Sequence, residues 1–221
     1  MYKTEPHLHV AEVSPCAKIG AKDVIKLYSD AGYSTVFITD HLKKSFFEKL
    51  GDIPYEEKVA KFMEGYEIAR AAGEECGVNV LFSAEFQFSY SGDHFLLYGI
   101  DKEFLSLDAG MFDMTLPEFY AFAKSHGVTV IQAHPYRDGK CLPVDPKYID
   151  AVEAYNTNPR HDNHTEKAVA FARKHDLPMT SGSDTHREDD VGLGGIITDF
   201  EIKCAEDYVR AVMDGNAQLI V

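Results

Sequence analysis

STVFIT, residues 34–39, is a β-branched apolar run followed by an acid and a histidine, Asp40 and His41. Without polar alternation it reads as a strand buried on both faces, of the kind found in parallel sheets. Upstream, Ala21, Val24, Ile25 and Tyr28 recur at helical spacing, and Gly32 stops that helix (21–31). Downstream, Val59, Phe62, Met63, Tyr66 and Ala69 mark one face of a helix over 55–76, ended by Gly77. VNVLFSAEF (78–86) is the next strand, and the turn SYSGD joins it to HFLLYGI (94–100) as a hairpin.

The same alternation continues. Thr115 and Glu118 form a capping box for a helix over 116–126. Strands are expected at 128–133, 151–156, 178–183, 194–200 and 217–221, with helices near 163–175 and 206–214. Strand–helix alternation from end to end predicts one α/β domain over 1–221, with about seven main strands in a closed or distorted β/α barrel. An open doubly wound sheet is the runner-up. It lacks the glycine-rich phosphate loop that such sheets carry after the first strand.

Against this frame the polar residues fall at strand ends. His7 and His9 share one face of the first strand as HLH, because side chains alternate with a period of two. Asp40 and His41 end the strand at 34–39. Glu85 ends the strand at 78–86, His94 opens its partner, His134 follows VTVIQA, and Asp184 and His186 follow PMTSGS. The carboxyl ends of barrel strands build active sites. His126 and His175, by contrast, fall on helices. Imidazoles and carboxylates without a CxxC pair suit zinc, iron or manganese. The set exceeds what one tetrahedral ion needs, so two or three divalent ions are expected. Glu85, with two oxygens to share, is the candidate bridge.

These residues resemble the polymerase-and-histidinol-phosphatase (PHP) family, through HLH (7–9), TDH (39–41), Glu85, DHFLLYG (93–99), AHP (133–135), VEAYN (152–156) and SGSDTH (181–186). The resemblance implies a distorted seven-stranded β/α barrel, up to three metals and phosphoesterase activity. It implies His7, His9, His41, Glu85, His94, His134, Asp184 and His186 as ligands. Many family members place an Asp or His shortly after the first motif. Here the stretch is VAEVSPCA, and Glu12, rather than Cys16, is the expected further ligand, with Cys16 as a small buried residue.

The expected reaction is hydrolysis of a small phosphate ester by a hydroxide bridging two cations. Glu85 and His186 are its expected catalytic residues. Arg137, Arg160 and His161 are candidate phosphate binders. Asp40, Glu153 and Asn156 are candidates for orienting the ligands. Lys43 and Lys44 are read as solvated, and the stripe Phe119, Tyr120, Phe122 as core packing.

Thirty-six acidic against 22 basic residues, net charge -14, argue against tracking a nucleic-acid backbone. A nuclease or proofreading domain is therefore the alternative, and a non-catalytic metal-binding domain a further one. Hydrolysis of a C–N bond on a similar barrel would normally use a lysine bridge where Glu85 stands. The start MYKTEPHLHV lacks a signal-peptide pattern and no apolar run spans a bilayer, so a cytoplasmic protein free of the membrane is expected. Oligomeric state is left open.

Overall fold

Strand β1 (Tyr2–Leu8) leads to helix α1 (Ala21–Asp30), then to β2 (Thr35–Ile38), β3 (His41–Lys43) and α2 (Lys44–Lys49). Helices α3 (Tyr55–Phe62) and α4 (Glu64–Cys76) precede β4 (Asn79–Phe82), β5 (Ala84–Gln87) and β6 (His94–Tyr98). There follow α5 (Lys102–Leu107), α6 (Leu116–Ser125), β7 (Thr129–Gln132), β8 (Ala151–Asn156), α7 (Thr165–Lys174) and β9 (Met179–Gly182). Strand β10 (Gly195–Thr198), α8 (Ala205–Met213) and β11 (Gln218–Ile220) complete the order. The computed structural model describes residues 1–107 and 109–221.

The fold is mixed α/β, with two sheets in the orders β11-β10-β1-β2-β4 and β3-β5-β6-β7-β8-β9. A closed or distorted barrel of about seven strands was the expectation, and strand pairing divides into sheets of five and six. The division comes at two bends. The strand expected at 34–39 leaves its ladder at Thr39, whose hydroxyl donates to Leu8 O at 3.1 Å. The expected strand at 78–86 breaks at Ser83, whose hydroxyl donates to Leu97 O at 2.5 Å. Beyond each bend the chain pairs in the second sheet, as β3 and β5. Backbone contacts cross between the sheets where Leu8 bridges Thr185 and where Glu85 N donates to Asp40 O at 3.1 Å.

Packing follows the sequence pattern. All of β2 is buried, as a strand covered on both faces must be. Gly77 ends α4 with φ 76°, the left-handed turn that glycine adopts freely. The helix expected over 55–76 is interrupted at Met63, and Gly65 just beyond packs on Val10, where a Cβ would stand 2.5 Å from Val10 Cγ2. Thr115 and Glu118 make the expected capping box of α6. Phe119 on that helix lies flat on Phe86 of β5, with ring centres 4.3 Å apart, and so holds β5 in place from outside. Among the described residues no helix is long and apolar enough to cross a membrane.

Candidate metal centre

Alternation along β1 puts Glu5, His7 and His9 on one face, all fully buried. Glu85 of β5 stands opposite His41 of β3 in the parallel register. His94 opens β6 beside the end of β5, His134 follows β7, and Asp184 and His186 follow β9. Backbone strain accompanies two of these positions. His134 (φ 28°) and Asp184 (φ 49°) both lie in the left-handed region that side chains rarely adopt, a pattern that concentrates at functional sites.

The side chains converge around Glu85. Its Oε1 is 2.8 Å from both His94 Nδ1 and His134 Nε2, and 3.6 Å from His7 Nε2. Its Oε2 is 2.6 Å from His41 Nδ1 and 3.5 Å from His9 Nε2. Asp184 Oδ1 lies 3.3 Å from His7 Nε2 and 3.2 Å from His9 Nε2. Four groups each bring their ligand atoms within 4.8 Å of one another: His7, His9 and Glu85; His7, His134 and Asp184; His41, Glu85 and His94; His9, His41 and His186. His7, His9, Glu85, His134 and Asp184 are closed to solvent, while His41, His94 and His186 reach it at the rim.

The donor set fits divalent cations. Glu85 Oε2, His41 Nδ1 and His134 Nδ1 are buried with no hydrogen-bond partner among the described residues. The first two are 2.6 Å apart without the alignment a hydrogen bond needs. Buried polar atoms left in this way are costly, and a cation among them removes the cost. His41, Glu85 and His94 would hold one ion, and His7, His9 and Glu85 another, with imidazole and carboxylate suited to zinc, iron or manganese.

Electrostatics without metal show how tightly these groups are coupled. Burial would raise the Glu85 carboxyl, but the charges of His94 and His41 hold it well below the usual range. Burial is likewise outweighed at Asp184, by His7 and Arg137. At His7 burial is overcome by Glu153 and Asp184, which lift the imidazole to about 10. Burial together with the charges of His41 and His186 drives His9 well below its ordinary value. Burial and the Arg137 charge bring His134 down to about 4.

A buried frame aims the ligands. Glu153 Oε1 accepts from His7 Nδ1 at 2.7 Å, while its Oε2 accepts His134 N at 3.0 Å and Asn156 Nδ2 at 2.9 Å. Asp40 Oδ1 accepts Val10 N at 3.0 Å and the Ser14 hydroxyl at 2.6 Å. Ser14 Oγ in turn accepts His41 N at 3.1 Å, so Asp40 acts on His41 through Ser14. Gly182 permits this crowding, since a Cβ there would stand 2.6 Å from Glu153 Oε1 and 2.7 Å from His7 Cβ.

Other expected site residues stand elsewhere. Glu12 is exposed, and both its oxygens accept Ala21 N at 3.0 Å, so it caps α1 rather than joining the ligands. Its reach is taken by a helix N-terminus that nothing in VAEVSPCA announces. Cys16 is exposed, not buried, and its Sγ lies 3.1 Å from His41 Nε2. Arg137 donates to Asp184 Oδ2 at 2.6 Å and to Asn163 Oδ1 at 2.9 Å, at the edge of the cluster. Arg160 forks onto Asp190, which also accepts His186 N at 2.9 Å, so it braces the His186 loop. His161 pairs with Asp138 at 2.9 Å.

Glu5, Ser14 and Asn158 were not singled out from sequence. Glu5 accepts His7 N at 2.9 Å and Ser183 N at 3.0 Å, joining both ligand-bearing strands. Its signal was present: extending HLH backwards by the same period of two reaches Glu5. Asn158 donates to Asp184 O at 3.0 Å, and Ser14 acts across 26 residues; neither is visible in local spacing.

Residues 162–217 match a family model described as PHP-associated. Comparison with curated protein sequences returned no match. Among solved structures, the chain is similar to a two-domain Bacteroides vulgatus protein containing a predicted PHP-like metal-dependent phosphoesterase. The TM-score is 0.68 at 14% identity, over 99% of this chain and 64% of that one. It is also similar to PsfC from Pseudomonas syringae (TM-score 0.66, 18% identity, 95% of this chain and 88% of that one). A third similar structure is the lesion-specific endonuclease PfuEndoQ from Pyrococcus furiosus (TM-score 0.64, 14% identity, 100% of this chain and 58% of that one). The chain thus spans under two thirds of the Bacteroides and Pyrococcus proteins. A PHP-associated segment is thus matched over residues 162–217, and over its whole length the chain shares the fold of a PHP-like protein.

Proposed function

We propose that the chain is a metal-dependent phosphoesterase that hydrolyses a small phosphate ester. The observation that carries this reading is Glu85, buried among His7, His9, His41, His94 and His134 with oxygens facing two separate groups of ligands. Divalent cations bound there would polarise phosphoryl oxygens and make water acidic enough to serve as nucleophile near neutral pH.

The chain's own groups supply the rest. Glu153 and Asn156 hold His7 and the His134 backbone, so the ligands do not reorganise during the reaction. Arg137 has donors beyond those given to Asp184 and Asn163, and can place one on a non-bridging phosphoryl oxygen. His186 is fixed by its Nδ1 contact with Asp184 O at 2.9 Å and reaches solvent at the rim. It is the proton donor to the leaving oxygen in this reading. Arg160 supports that loop through Asp190 instead of touching phosphate.

A small substrate follows from charge. A net charge of -14 leaves little basic surface for counterion release along a polynucleotide. The endonuclease that shares the fold makes DNA the necessary control. Protein loaded with manganese or zinc is compared on sugar phosphates, nucleoside monophosphates, histidinol phosphate and long single-stranded DNA. Turnover of a small ester, lost on chelation, is expected. Degradation of long DNA with no activity on any ester would replace this reading with a nuclease.

A further inference from the structure

The rim beside Glu85 carries a cation that the centre itself does not use. Strands β3 and β5 run parallel in register, His41 opposite Glu85 and Lys43 opposite Gln87. Because side chains alternate, Lys43 and Gln87 continue the face that bears His41 and Glu85. They lie one two-residue step, about 6.6 Å, further toward the carboxyl ends of the strands. The residues between them, Leu42 and Phe86, are fully buried in the core, as that alternation requires. Lys43 and Gln87 line a cavity of about 390 Å³, within the range of small-molecule sites.

The charges in that cavity are unequal. Lys44 is neutralised by Asp113 at 2.6 Å, and Ser89 donates to the same carboxylate at 2.6 Å. Glu48, the acid on the cavity wall, is exposed. Lys43 is half-buried and has no carboxylate within 4.0 Å among the described residues. A partly desolvated ammonium without a counter-charge is unfavourable in the free protein and favours an incoming anion. Gln87 Nε2 donates to Ser91 O at 3.0 Å, which orients the amide and leaves its second hydrogen for a ligand.

We propose that Lys43 and Gln87 form a subsite for a second anionic group, so that the substrate is a small phosphate ester whose leaving group bears a carboxylate or another phosphate. This rests on the phosphoesterase reading for the first phosphate, which cations held around Glu85 would bind. The register places the two positions next to each other along one face of the strand pair, so one small molecule bearing two anionic groups suits them.

Binding, measured apart from turnover, tests the subsite. Calorimetry on manganese-loaded protein compares glycerol 2-phosphate with 2-phosphoglycerate and with a sugar bisphosphate. Wild type is expected to bind at least one doubly anionic ligand about tenfold more tightly than glycerol 2-phosphate. Lys43→Ala should bring that ratio close to one, and Lys43→Arg should keep it. A carboxylate-only preference would assign the second anion as a carboxylate, and a bisphosphate-only preference as phosphate. Equal affinities in wild type, or a ratio that survives Lys43→Ala, would overturn the subsite. A ratio that depends on Lys43 in a protein that hydrolyses no ester would retain the subsite and overturn the phosphoesterase reading instead.

Discussion

Glu153 Oε1 lies 2.7 Å from His7 Nδ1, with both side chains closed to solvent. The carboxylate accepts the Nδ1–H and so leaves Nε2 as the nitrogen that faces His9, Glu85 and Asp184 and is open to a cation. Its other oxygen holds the His134 backbone, so one side chain sets two ligands. Glu153→Gln keeps the shape and removes the charge. Metal affinity is expected to fall by about 10- to 100-fold, read by competition with a chromogenic chelator. Wild-type affinity in this variant would reduce Glu153 to a packing group.

Glu85→Gln should keep the fold by circular dichroism but lose at least one metal equivalent by elemental analysis, together with most activity. The amide presents one oxygen and no charge to two groups of ligands, where the carboxylate presents two. Full metal content with full turnover would show that Glu85 does not join them.

Cys16 should be the reactive thiol of the metal-free protein. Burial would push it up, but hydrogen bonds from His186 and His41 draw it down to about 5. Burial pushes Cys141 up to about 11. Near pH 7 iodoacetamide should therefore modify one thiol quickly, and Cys16→Ser should abolish that phase. A fast phase that persists in Cys16→Ser would place the reactive thiol elsewhere.

Glu5 should make the metal-free protein less stable as pH rises. Burial lifts its carboxyl from 4.5 to about 7, against hydrogen bonds from Ser183, His7 and Tyr28. A raised acid contributes most below pH 4.5, and that contribution is lost as pH climbs through 7. Glu5→Gln removes the dependence and should gain about 3 kcal/mol over wild type near pH 8. Urea midpoints across the range measure it. A gain that is the same near pH 4 as near pH 8 would rule out ionisation as its source.

Much of this was readable in the chain. Long periodic segments such as α1, α6 and α7 fall close to their expected bounds. The six-residue helices α2 and α5 and the three-residue β3 did not emerge from the sequence, because so short a span holds less than two full periods of pattern. The interruptions at Met63 and Ser83 also escaped it. Each lies beside a contact made elsewhere in the fold, Gly65 with Val10 and Ser83 with Leu97, which no local window contains.

By itself the sequence determined the order of the longer strands and helices and the set of imidazoles and carboxylates near strand ends, since periodicity, capping and alternation act over a few residues. Tertiary structure alone decided the rest: that Glu12 caps α1 while Cys16 meets His41, that Arg160 goes to Asp190 and Arg137 to Asp184, and that Lys43, on a cavity wall, has no carboxylate within 4.0 Å among the described residues. Each of these depends on which of several oppositely charged or polar groups comes within about 3 Å, and hydrogen-bond range is set by how distant segments pack, not by their spacing along the chain.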